Sequence, residues 1–154
     1  MPPRLNPFVH GTDLLKSYLA FSNGVVKAGL EQSLIHLVEI RASQINGCAN
    51  CIHMHTRDAR QHGETEERIY LLDAWREAPF YSDRERAALG WTEALTLVAD
   101  TGAPDESYEA LKAHFSEEEQ MQLTLMIIVI NGWNRLSIGF RLFQADASAV
   151  RSAA

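Results

Sequence analysis

Apolar residues recur at spacings of three and four along almost the whole chain, and this periodicity restricts the fold more than any other feature. Leu34, Leu37 and Val38 show the spacing in one segment, and Trp91 and Leu95 show it in another. Such spacings place side chains on one face of an α-helix. No stretch of strand length alternates apolar and polar residues, so strands are not expected. The sequence therefore predicts an all-α domain of roughly seven or eight helices.

Capping residues, glycines and prolines divide the chain into helical segments. Thr12 is the predicted N-cap of the first helix, and the spacings Ser82 to Glu85 and Ser116 to Glu119 are typical of capping boxes. Asn131-Gly132 predicts a kink before the last helix. The predicted helices cover residues 12–29, about 31–44, 48–63, a short segment at 69–75, a segment opened at 82–85, 105–114, 121–130 and a last one that reaches about residue 143.

Length and charge narrow the class of protein. The 154 residues suit one domain, expected to span 1–154 with its core at about 12–143. The net charge of −6 disfavours nucleic-acid binding, which needs a basic surface. The most apolar run, 123–130, falls far short of the ~20 residues that cross a bilayer, so a buried helix and no membrane partner are expected. The first 13 residues lack an apolar stretch and do not resemble a secretory signal, which predicts a cytoplasmic protein.

The two cysteines of the chain, Cys48 and Cys51, form a Cys-x-x-Cys pair, and His55 follows one turn later. Residues three apart on a helix have Cα atoms about 5 Å apart, which is within disulfide range. Asn46-Gly47 places the pair at the start of a helix, where free N–H groups and the helix dipole favour a thiolate. We therefore expect both cysteines and His55 on one helix face, with Cys51 nearest His55 and Cys48 nearer the entrance of the site.

Three other interpretations compete with redox chemistry. A structural disulfide would close a loop of only a few residues and would constrain the unfolded chain little. A zinc site would need a fourth ligand such as His53 or His62, and three ligands on one helix are unusual for zinc. The cysteines could also be inert buried thiols. The redox interpretation is favoured, no metal or other cofactor is expected, and His53, His10, His62 and His114 are predicted to be surface residues.

One segment of the chain resembles the active-site helix pair of the alkylhydroperoxidase D-like, carboxymuconolactone decarboxylase family. This segment runs from Glu39 through SQINGC-x-x-C-x-x-x-H to His55. The resemblance implies that family's compact all-α fold and continues over most of the chain, through Asp58-Ala-Arg, Gly63-Glu64, Trp75-Arg-Glu-Ala-Pro79, Glu85-Arg-Ala-Ala-Leu89, Glu93-Ala-Leu-Thr96 and Asn131-Gly-Trp-Asn-Arg135.

The resemblance also implies roles for particular residues. In redox members of the family the second cysteine of the motif is the nucleophile and the first is the resolving thiol, which correspond to Cys51 and Cys48. The histidine of the proton relay corresponds to His55. The glutamate twelve residues before the first cysteine is replaced here by His36, so Glu39, one turn later, is the expected carboxylate and His36 a possible contributor.

These features predict a thiol-dependent alkyl hydroperoxidase or disulfide reductase that acts in antioxidant defence. Its expected partners are a small-molecule peroxide and a dithiol reductant, either a protein or a small thiol. The resemblance implies a homo-oligomer, a trimer or hexamer. The alternatives are a carboxymuconolactone decarboxylase-like lyase and a non-enzymatic redox-sensing or metal-binding module.

Overall fold

A computed structural model describes residues 2–143, and these residues form helices joined by short loops, without a β-strand. The predicted all-α class is confirmed. Two of the nine α-helices are single turns, α1 and α7, which raises the number above the seven or eight expected. The elements in chain order are α1 (Pro7–His10), α2 (Thr12–Val26), α3 (Gln32–Asn46), α4 (Ala49–Gln61), α5 (Glu66–Tyr70), a 3-10 helix (Leu72–Ala74), α6 (Asp83–Thr96), α7 (Val98–Thr101), α8 (Asp105–His114) and α9 (Glu117–Phe140).

Helix α3 is the centre of the domain and packs against α4, α6 and α9. It is buried on nearly all sides because it lies between two apolar clusters. Val38 and Ala42 belong to the larger cluster, which includes α9 and the cysteines. Leu37 and Ile40 belong to the smaller one, with Trp75. The buried residues of α3 include the polar His36, Glu39 and Ser43 among the apolar ones, so this central helix also carries polar groups into the interior.

Helix α9 is long and apolar enough to cross a membrane by length and composition alone. It packs instead against α2, α3 and α6, and its inner face, including Leu123 and Ile127, lies in the larger apolar cluster. The expectation of a buried core helix at 123–130 agrees with this packing.

The predicted kink at Asn131-Gly132 is wrong, because α9 continues through both residues to Phe140. The reason for the glycine is close packing of a neighbouring helix. The phenol oxygen of Tyr18, on α2, donates a hydrogen bond to the carbonyl of Val129 at 2.7 Å and lies where a Cβ atom on residue 132 would be. Gly132 therefore allows α2 to approach α9 within one continuous helix.

The predicted caps are confirmed at two of three helix starts. Ser82 and Ser116 both form complete capping boxes. Cys48 is the N-cap of α4. The prediction for Thr12 is wrong: Gly11 occupies the N-cap position of α2, because α1 ends there and the Gly11 N–H is already bonded to the carbonyl of Pro7 at 2.8 Å.

Candidate redox site

The turn between α3 and α4 sets the position of the cysteines. Gly47 ends α3 with φ of 67°, a left-handed conformation that favours glycine. The N–H of Cys48 donates to the carbonyl of Ser43 at 2.9 Å, which completes the end of α3. The Cys48 sulfur then accepts from the N–H of Cys51 at 3.4 Å and caps α4. Both cysteines are thus held in the first turn of a helix, as the Asn-Gly break indicates.

A disulfide joins Cys48 and Cys51, whose Cα atoms are 5.4 Å apart. This distance agrees with the helical spacing expected from the sequence. Both residues are buried, Cys48 at 1% and Cys51 at 3% exposure. The backbone therefore holds the two sulfurs within bonding distance, as reversible disulfide chemistry requires.

His55 lies one turn beyond Cys51, and its imidazole ring contacts the carboxylate of Glu39. Its Nδ1 is 3.0 Å from Oε2 of Glu39, and both side chains are about nine-tenths buried. Burial raises the pKa of Glu39, but the contacts with His36 and His55 outweigh burial, so the pKa lies below the ordinary 4.5. An ionised Glu39 accepts a hydrogen bond from Nδ1 of His55 and so orients the imidazole ring.

A large apolar cavity opens beside these groups, with a volume of about 870 Å³. Cys51, His55 and Glu39 line it, and Cys48 does not. The expectation that Cys48 lies nearer the entrance is therefore wrong: as the N-cap, its sulfur turns back over the helix terminus. The remaining lining is mostly apolar and comes from α2, α9 and the N-terminal segment, including Leu19, Val26, Met126, Val129, Ile130 and Trp133.

The N-terminal segment forms one wall of this cavity. The Arg4 N–H donates to the carbonyl of Phe140 at 3.0 Å, and its guanidinium donates to the carbonyl of Gly139 at 3.2 Å. These bonds tie the segment to the end of α9. Arg4, Phe8 and His10 consequently line the cavity, although nothing in the sequence separates them from other terminal residues.

His36 approaches the same carboxylate oxygen of Glu39 that His55 contacts. Its Nδ1 lies 3.5 Å from Oε2 of Glu39 and, although buried, makes no well-aligned hydrogen bond. Its Nε2 lies 3.1 Å from Nδ1 of His62. The structure thus places both candidate relay residues, Glu39 and His36, in one cluster with His55.

The other histidines divide between expected and unexpected positions. His53 and His114 are exposed, as predicted. His10 is exposed but contributes to the cavity wall. His62 is also exposed, yet it contacts His36, a partner 26 residues away that the helical periodicity of α4 alone does not indicate. Within residues 2–143, no three His, Cys, Asp or Glu side chains are grouped so as to hold a metal ion.

An amide network fixes the end of α3, and the sequence analysis missed its function. Asn46 donates to Asn131 at 3.0 Å and to Asn134 at 2.8 Å, and Asn134 donates to the Ser43 hydroxyl at 3.0 Å. The network anchors the turn that carries Cys48 to α9. A buried polar network of this kind is specific because each member must find its partner.

Known proteins resemble this chain over most of its length. The sequence profile of the Carboxymuconolactone decarboxylase family matches residues 12–94. The uncharacterized protein YdfG of Bacillus subtilis is 42% identical over 138 residues, which are 90% of this chain and 94% of that protein.

Solved structures agree with the sequence comparisons. The crystal structure of ATU0492 from Agrobacterium tumefaciens covers 94% of this chain and 99% of its own, with a TM-score of 0.91 and 45% identity. It is described as a protein of unknown function provisionally connected with antioxidant defence as AhpD. The debrominase Bmp8 shares the fold at 18% identity, with a TM-score of 0.76 over 90% of this chain and 74% of its own. The chain therefore belongs to the carboxymuconolactone decarboxylase family and has the AhpD-like fold.

Proposed function

We propose that the protein is a thiol-dependent peroxidase, or a disulfide reductase with the same chemistry, that acts in antioxidant defence. The observation that carries the proposal is the joint position of Cys51 and His55 on one cavity, with Cys48 bonded behind Cys51. The family contains enzymes such as the decarboxylase of its name. The peroxidase activity itself is our inference from the cysteine pair and its surroundings.

The oxidative half of the cycle uses both cysteines. His55 takes the proton of the Cys51 thiol, and the thiolate attacks the terminal oxygen of a hydroperoxide. The S–O bond forms as the O–O bond breaks, which gives a sulfenic acid on Cys51 and an alkoxide that takes the proton back as an alcohol. Cys48 then displaces water from the sulfenic acid and forms the disulfide.

The reductive half returns the disulfide to two thiols. A dithiol donor, a protein or a small thiol, attacks one sulfur and forms a mixed disulfide. The second thiol of the donor then attacks this mixed disulfide and releases the protein with both of its cysteines as thiols. The sum converts one hydroperoxide and one dithiol into an alcohol, water and a disulfide, without a metal or another cofactor.

The cavity favours an organic hydroperoxide with an apolar body. Its wall is mostly apolar, and a volume of about 870 Å³ is of the size that binds small organic ligands. Hydrogen peroxide would leave most of this surface without contacts. We therefore expect an alkyl or aryl hydroperoxide to react faster than hydrogen peroxide.

The family match favours one second function, a carboxymuconolactone decarboxylase-like lyase. In that case His55 and Glu39 would transfer protons on a lactone, and the cysteines would not be needed. A non-enzymatic redox-sensing or metal-binding module is the remaining alternative. Dependence of turnover on Cys51 distinguishes the peroxidase from all of these.

The direct experiment follows loss of cumene hydroperoxide by the reduced protein with several dithiol donors. We expect turnover by the wild type and none by Cys51→Ser. Equal rates for the two proteins would rule out the peroxidase, and lactone decarboxylation by both would establish the lyase. Stoichiometric zinc in the purified protein would support the metal-binding module instead.

Assembly and location belong to the same proposal. Phe8 and Leu14 are 60% and 86% exposed, and Met121 and Ile128 on α9 are 59% and 52% exposed. Apolar surface of this extent favours association of subunits, and we propose a homo-oligomer, a trimer or hexamer, in the cytoplasm. Light scattering should show the oligomer, and a monomer at micromolar concentration would contradict it.

A further inference from the structure

A chain of ionisable side chains leads from the redox site to the surface on the side away from the apolar cavity. It consists of His55, Glu39, His36 and His62, with contacts of 3.0, 3.5 and 3.1 Å between successive members. The first three are buried and His62 is exposed. The proposed peroxidase chemistry uses only His55 and Glu39, so the other two histidines need a separate explanation.

The hydrogen-bond donors indicate the direction in which protons can move along these four side chains. The amide nitrogen of Gln32 lies 3.2 Å from Nε2 of His36, and an amide NH₂ only donates, so Nε2 is an acceptor. The proton of a neutral His36 is therefore on Nδ1, the buried atom that lies 3.5 Å from Glu39 and has no other partner. His62 Nδ1 is also near the carbonyl of Asp58, at 2.8 Å, so it carries a proton that it can share with His36.

We propose that His62 and His36 are a proton path that equilibrates the Glu39–His55 pair with solvent. The inference rests on the proposed role of His55 as the proton carrier of the cysteine site. A proton from water enters at the exposed ring of His62 and leaves its Nδ1 for Nε2 of His36. His36 releases its own Nδ1 proton to Glu39, and Glu39 passes a proton to Nδ1 of His55 as Nε2 of His55 gives its proton to a cysteine thiolate.

Reduction of the disulfide is the step that needs such a path. A dithiol that attacks as a monothiolate brings one proton and two electrons, and the two protein thiols need two protons. The second proton comes from water. A donor or an apolar ligand over the cavity would separate His55 from bulk water on that side, whereas His62 remains open on the other.

The charged groups around the exposed end of the path have a net negative charge. A smaller cavity of about 250 Å³ is lined by His36 and His62 together with Glu64, Arg68 and Glu85. Arg68 forms ion pairs with Glu64 at 2.9 Å and with Glu85 at 2.6 Å. Arg68 is therefore paired with two carboxylates at the open side of His62.

The test is reduction of the oxidised protein by dithiothreitol in weakly buffered solution near pH 7, in a stopped-flow instrument. Trp133 lines the cavity beside Cys51 and supplies the fluorescence signal. His62→Gln should slow reduction by about tenfold, less than the ~100-fold or more typical of a direct acid or base. Added imidazole should restore the rate, because it delivers protons at the surface. His53→Gln, an exposed histidine on the same helix, is the matched control and should reduce at the wild-type rate.

A second variant keeps the proposal falsifiable. His36→Gln should slow reduction as well, and the double variant should be no slower than the slower single variant, because both changes interrupt one path. A wild-type rate for His62→Gln, a loss that imidazole does not restore, or losses that multiply in the double variant would each overturn the path. If His36→Gln does not fold, the reduction rates of His62→Gln and of its control His53→Gln test the path by themselves.

This experiment is independent of peroxide chemistry. Reduction by dithiothreitol involves no hydroperoxide, so a protein that fails the cumene hydroperoxide assay can still show the path. Conversely, a protein that turns over hydroperoxide but shows no effect of His62→Gln keeps its proposed function and loses only the path.

Discussion

Two carboxylates, the buried Glu39 on α3 and the largely buried Glu93 on α6, have different partners. Glu39 contacts His36 and His55 beside the cysteines. Glu93, on α6, accepts from Nε of Arg41 at 2.8 Å, from the indole of Trp75 at 2.8 Å and from Arg76. Burial raises the pKa of both carboxyls, and the hydrogen bonds to their partners outweigh it, so both pKa values are lowered.

The two carboxylates differ in whether their partners can exchange protons. Arginine does not release its proton in a protein, so the charges around Glu93 are permanent. They join α3, α6 and the segment after the 3-10 helix. Histidine gains and loses its proton near neutral pH, so the charges around Glu39 can change during a reaction. Side chains near Glu39 should therefore control activity, and side chains near Glu93 should control stability.

The largest expected effect is at the cysteines. Cys51→Ser should abolish peroxide turnover, because Cys51 is the cysteine that lines the cavity. Cys48→Ser should permit one oxidation and trap Cys51 as a sulfenate or mixed disulfide, detectable by mass spectrometry. If Cys51→Ser still formed sulfenate at the wild-type rate while Cys48→Ser did not, the two assignments would be reversed.

The second largest effect is expected when His55 is changed, and it is a loss of the rate of peroxide consumption. His55→Ala should slow peroxide consumption by ~100-fold or more at neutral pH, as is typical for loss of a general base. Raising the pH should recover part of the rate, because hydroxide then supplies the thiolate. Glu93→Gln is the control, and its turnover per folded molecule should equal the wild type. A comparable loss in Glu93→Gln would break the comparison between the two regions.

The free energy of unfolding should respond in the opposite order, with a larger loss for a change at Glu93 than for a change at Glu39. Glu93→Gln should lower the free energy of unfolding by about 2 kcal/mol, because the largely buried guanidinium of Arg41 then keeps only the exposed Asp73 as a charged partner. Glu39→Gln should cost about 1 kcal/mol, because its histidine partners can become neutral. Urea denaturation at pH 7 measures both changes. A larger loss in Glu39→Gln than in Glu93→Gln would contradict the division.

The pH dependence of the Glu93 effect has a definite sign. A carboxyl with a lowered pKa in the folded state stabilises the protein at pH above its ordinary 4.5, and this contribution is lost as pH falls through the folded value. The stability gap between wild type and Glu93→Gln should therefore be largest near neutral pH and shrink below pH 4.5. Urea titrations at a series of pH values test this, and a gap that widens with acid would contradict it.

The smallest effect concerns the packing of α2 against α9. Gly132→Ala should cost about 1 kcal/mol, because the added methyl group collides with the phenol of Tyr18 and pushes α2 away from α9. Gly139→Ala, on the same helix with open space around it, is the matched control and should gain about 0.5 kcal/mol from helix propensity. Thermal unfolding of the two variants is sufficient, and equal stabilities would remove the packing explanation for Gly132.

Local patterns in the sequence determined the helical class, two capping boxes, the redox pair and the spacing that places His55 one turn from Cys51. These features depend on residues within one or two helical turns, so periodicity and capping rules capture them. Glu39 and His36 were identified through resemblance, although the sequence left open which of them would complete the relay.

Tertiary structure alone decided the rest, because it depends on which helix faces which. The contact of His36 with His62 joins α3 to the end of α4, and Asn46 meets Asn131 and Asn134 across 85 and 88 residues. The kink predicted at Gly132 was wrong for the same reason, since the glycine makes room for Tyr18, 114 positions earlier in the chain. Glu39 and Glu93 are both largely buried, and their tertiary partners distinguish them: His55 on α4 for Glu39, and arginine side chains for Glu93.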